Sequence, residues 1–148
     1  MATSARVAGH PIHPMLVPLP IGLWVFSLVA DIVFRSGGGL LWNHLAFYRM
    51  AGGLVGALLA AVPGLLDFRT LEAPRARQVA TAHLTLNLLI VALYAVNLWL
   101  RTRTAPGESL PLWFSVAGIA LLGVSGWLGG ELVFVHGEEL EPEPRHEG

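Results

Sequence analysis

The chain of 148 residues has no cysteine. Disulfides, thiolate metal sites, cysteine-ligated iron–sulfur clusters and covalently attached haem are therefore excluded. Lysine is also absent, so all nine basic residues are arginine. Charge of either sign is scarce: charged residues make up 13% of the chain, against roughly 25% in ordinary soluble domains. The net charge of −1 offers no basic face for nucleic acid. No nucleophile stands beside a base, and the glycine turn at 37–39 lacks the lysine and helix context of a phosphate-binding loop.

What the chain has instead is apolar length: 54% of its residues are hydrophobic and the mean hydropathy is +0.62. Four runs are each long enough to cross a bilayer, which takes ~20 apolar residues. The pattern predicts helices over about 15–34, 44–67, 77–100 and 110–135. The prolines at positions 14, 18 and 20 argue against a cleaved signal peptide. Residues 1–9 read as a mobile amino terminus, 10–137 as the transmembrane domain and 138–148 as an acidic, disordered tail. Short connections imply an all-α, up-down four-helix bundle. The pairs Gly52/Gly56 and Gly126/Gly130 have the small-xxx-small spacing of close helix packing.

Helix order sorts the polar residues into two groups. His10, His13, Asp67, His83, Glu131 and His136 fall on the side that bears the amino terminus, and Asp31, Arg35, His44, Arg101 and Arg103 on the other. Asp31 is expected to pair with Arg35, one turn away, and Asp67 with Arg69, Arg75 or Arg77. His44 and His146 read as interface and tail residues. Along the third helix, His83, Asn87, Tyr94 and Asn97 lie within a sector of roughly 80°, a polar stripe that should face the bundle interior.

Gly9-His10-Pro11-Ile12-His13-Pro14 is the most distinctive stretch. Proline after each histidine disfavours helical geometry at the histidine, so both rings are expected on a stiff, non-helical lip. An intramembrane histidine such as His83 is costly without a partner and is read as functional by default.

Three functions fit these residues. The first is a membrane redox protein holding haem b between histidines drawn from His10, His13, His83 and His136. The second is a transition-metal or proton site on the same four histidines, with Asp67, Asn87 and Glu131 supporting them from behind. The third is a partner subunit of a membrane complex, a homo-oligomer included, whose polar residues only fix packing.

The opening motif with Met15-Leu16-Val17 and Leu19-Pro20-Ile21-Gly22 resembles the bacterial membrane family known as domain of unknown function 2231. Asp31, Gly64 with Asp67, His83, and Gly129-Gly130-Glu131-Leu132-Val133 running into His136-Gly137 extend the resemblance across most of the chain. Many members carry a further histidine where this chain has Pro18. The resemblance implies a four-helix domain of the bacterial cytoplasmic membrane. Some members are fused to Rieske-type or cytochrome-like domains, which favours a redox partner and electron transfer. The arginine cluster Arg69, Arg75 and Arg77 favours a cytoplasmic location for both termini.

Overall fold

The computed structural model describes residues 6–7 and 10–135. The chain opens with a two-residue antiparallel ladder in which β1 (Arg6–Val7) pairs with β2 (His10–Pro11), Arg6 opposite Pro11 and Val7 opposite His10. Five helices follow: α1 (Ile12–Leu16), α2 (Pro18–Arg35), α3 (Leu40–Thr70), α4 (Pro74–Arg101) and α5 (Ser109–Phe134). The segment Ile12–Arg35 and the three later helices are each long and apolar enough to cross a membrane. The protein is an integral membrane protein.

The opening prolines behave differently from the expectation. Only His10 is on extended backbone; His13 lies in the first turn of α1. A helix has no use for the first N–H groups of its opening turn, so Pro14 removes no bond there, just as Pro18 removes none at the start of α2. The two histidines therefore do not share one non-helical lip. Two later helices also extend beyond their apolar runs. Pro63 lies inside α3, which continues through it to Thr70. In α4, which begins at Pro74, His83 stands nine residues from the start, or about 14 Å along the axis.

Paired contacts set the directions of the helices. Trp24 meets Met50 while Ser27, further along α2, meets Ala46, so α2 and α3 run oppositely. His83 meets Ser125 and Asn97 meets Ser115, and α4 and α5 do the same. A buried cluster of Trp24, Met50, Ile90 and Tyr94 joins α2, α3 and α4 at mid-depth. Trp24 and Tyr94 stack with ring centroids 4.2 Å apart and planes within 7°, and Trp24 Nε1 donates to the carbonyl of Met50 at 3.2 Å.

Glycines create the space for this approach. A Cβ at Gly53 would overlap the Trp24 indole, and one at Gly118 would lie 2.7 Å from the Tyr94 ring. Of the two small-xxx-small pairs, Gly52 and Gly56 do meet α2, whereas a Cβ on Gly126 or Gly130 would meet nothing within 4 Å. In α5 the packing glycines are Gly118 and Gly129.

Candidate functional site

Polar side chains gather at two ends of the bundle. At the first end, His13 docks on α3. Its Nδ1 lies 2.7 Å from the carbonyl oxygen of Ala60, and a carbonyl only accepts, so in this bond Nδ1 carries the hydrogen. Gly64 supplies the room, since a Cβ there would sit 2.7 Å from His13 Nδ1. Gly64, beside the Ala60 carbonyl, is the socket for the His13 ring.

His83 repeats the arrangement between α4 and α5. Its Nδ1 donates to the carbonyl of Ser125 at 2.9 Å, with the Ser125 hydroxyl oxygen 3.2 Å away. Gly129 leaves room for the ring edge, for a Cβ would be 3.2 Å from His83 Cε1. The amide of Asn87 donates to the His83 carbonyl at 2.8 Å and lies 3.1 Å from His83 Nε2. Asn87 thus braces the ring from its own helix. The His13 and His83 rings are both half-buried.

The other members of the expected set are less concentrated. His10 is exposed. Glu131 is half-buried and makes none of the hydrogen bonds around His83. The Asp67 carbonyl accepts from the Thr70 hydroxyl at 2.7 Å. His136 lies outside the described residues, as does His146. Among the described residues, no three of His, Asp and Glu come close enough together to hold a metal ion.

At the opposite end Asp31 and Arg101 form a buried, two-pronged ion pair, with Nη1 2.8 Å from Oδ1 and Nη2 on Oδ2. The expected pairing of Asp31 with Arg35 does not form. Arg35, at the exposed carboxyl end of α2, donates instead to the carbonyl of Gly107, leaving the buried carboxylate to the guanidinium at the end of α4. Arg101 Nε reaches Asn97 Oδ1 at 3.3 Å, and the Asn97 amide donates to the Ser115 hydroxyl oxygen at 2.9 Å. Ser115 in turn donates to the carbonyl of Pro111 at 3.3 Å, and its own carbonyl accepts from the Tyr94 hydroxyl at 3.5 Å. This network ties α2, α4 and α5; the polar stripe foretold that Tyr94 and Asn97 face the interior, but not that Asp31 pairs with Arg101. The signal available for it was Asn97 and Arg101 one turn apart on the polar stripe.

The sequence pattern of a family described as a predicted membrane protein, domain of unknown function 2231, matches residues 9–142. The chain belongs to that family. Neither a curated protein nor a solved structure matches it. Within the matched span lie both histidine sockets and the Asp31–Arg101 pair.

Proposed function

We propose that the protein is a membrane redox subunit in which His13 and His83 hold a b-type haem through their Nε2 atoms. The observation that carries this reading is that each ring gives its Nδ1 hydrogen to a carbonyl of a neighbouring helix. A histidine tied in this way is fixed in tautomer and orientation and presents a basic Nε2, the usual arrangement of a metal-ligating imidazole. The rings stand on α1 and α4.

The donor set suits haem better than a bare ion. Haem brings four nitrogens of its own, so two imidazoles complete its iron. A lone transition metal would need further ligands, drawn from His10, Glu131, His136 or water. Once bound, haem supplies one-electron carriage. The chain's part is to hold the rings, to fix their tautomer through carbonyl acceptors and to exclude water with the Trp24–Tyr94 core. Asn87 would give up its contact with Nε2 and keep its bond to the His83 carbonyl.

The test is the absorption spectrum of the detergent-purified protein, with and without haem supplementation. A Soret band is expected, lost in both His13→Ala and His83→Ala while each variant keeps its helical circular dichroism. A folded protein without a Soret band overturns the haem reading. Co-purifying metal without that band would move the assignment to an ion on the same histidines. Neither would leave both rings as packing devices of a partner subunit.

A further inference from the structure

A second site lies at the Asp31–Arg101 end and does not depend on the haem reading. A cleft of about 290 Å³ opens between the end of α2, the start of α3, the end of α4 and the loop that leads into α5. Its floor carries the Asp31–Arg101 pair, whose charges cancel. Its lip carries groups of both signs that remain available. Arg35 has no carboxylate partner among the described residues; it holds the Gly107 carbonyl with one amino group and keeps the rest of its guanidinium for a ligand. Glu108, next to Gly107 and exposed, forms no ion pair with it. His44 and Asn43 add further polar groups from the first turns of α3.

Position decides what can reach this cleft. It sits where the helices end and arginines begin, the depth of lipid headgroups. Close by in the chain, Arg103 lies over Trp99 at 5.8 Å, an aromatic–cation pairing typical of that depth. The lining also includes Phe34 and Tyr48, the latter 70% exposed at the outer edge, so an apolar chain can leave the cleft along the helices. Arg35 with His44 and Asn43 suits a phosphate, which takes several N–H donors at once. Glu108 suits a primary ammonium.

We infer that the cleft formed by Arg35, Asn43, His44 and Glu108 binds the phosphoethanolamine headgroup of a membrane phospholipid. The phosphate rests on Arg35 and His44, and the ammonium on Glu108. A choline headgroup offers no N–H to Glu108, and a glycerol headgroup offers no positive charge, so both are bound less well.

Native mass spectrometry of the full chain in detergent tests this. The probes are phosphatidylethanolamine, phosphatidylcholine and phosphatidylglycerol with identical acyl chains, and inorganic phosphate. The expected result is several-fold greater retention of phosphatidylethanolamine. Arg35→Gln should lower retention of all three lipids, and Glu108→Gln should erase the preference for ethanolamine while sparing phosphatidylglycerol. Arg103→Gln, outside the cleft lining, should change neither. The inference is overturned by equal retention of the three lipids, by an equal loss in Arg103→Gln, or by inorganic phosphate bound where no lipid is retained.

Discussion

The two ends of the bundle solve the same problem in opposite ways. A polar group inside a membrane must be satisfied by the protein, since lipid offers no partner. At the Asp31–Arg101 end, the charged side chains are satisfied by other side chains: the carboxylate takes both prongs of the guanidinium, and Asn97 and Ser115 take its remaining donors. At the histidine end, side chains are satisfied by backbone. His13 and His83 each lean on a carbonyl of the next helix and fit against a glycine. The first solution is saturated and works as a clamp. The second fixes two rings through their Nδ1 atoms, with His83 Nε2 met by the Asn87 amide of its own helix, and this contrast is the reason for proposing the redox function at the histidines.

The largest effect that would break the contrast comes from the ion pair. Asp31→Asn leaves the Arg101 guanidinium buried without its counter-charge, and removing one partner of a buried pair costs about 3–5 kcal/mol. A thermal or denaturant melt in detergent should show that loss. The double variant Asp31→Leu with Arg101→Met should recover most of it. If the single variant melts like the parent, the pair is not the clamp described.

A smaller loss is expected from Gly64→Ala. The added Cβ would lie 2.7 Å from His13 Nδ1, so the ring must leave its carbonyl or α3 must shift, at a cost of about 1–3 kcal/mol. Gly126→Ala meets open space and should stay within about 0.5 kcal/mol of the parent. Equal melts for the two variants would dismiss the socket.

The asparagines make the finest comparison. Asn97 is fully buried between Ser115 and Arg101, and Asn97→Ala should cost about 1–3 kcal/mol because it strands those partners. Asn87 is half-buried and bonds along its own helix, so Asn87→Ala should cost about 1 kcal/mol or less. Its clearer consequence should be a change in ligand binding at His83, read by titration with haem.

Which parts of this were legible in the sequence follows from the range of each interaction. Four apolar runs are a local property, and they became four helices of membrane-crossing length. Helix order was enough to separate the histidine end from the Asp31–Arg101 end. Partner choice was not legible, because it depends on helix rotation. Asp31 and Arg35 are one turn apart, yet Arg101, 70 residues away, faces the carboxylate while Arg35 points to the loop at Gly107. Glycine spacing likewise marks a face without saying what that face meets, so Gly126 and Gly130 looked like packing residues when Gly118 and Gly129 are the ones in contact. Pro63-Gly64 gives no sign in the sequence of what it packs against, since a proline inside a helix speaks only of its own ladder. Inside α3, Gly64 leaves room for a ring that arrives from about 50 residues earlier in the chain.

The most direct test of the contrast is a haem titration followed by absorption and electron paramagnetic resonance on the parent, His13→Ala, His83→Ala and Asn97→Ala. Two imidazoles on one iron give a six-coordinate, low-spin signature. The account predicts that signature in the parent and in Asn97→Ala, and its loss in both histidine variants. A low-spin signal that survives both histidine variants, or no binding by the folded parent, would contradict it.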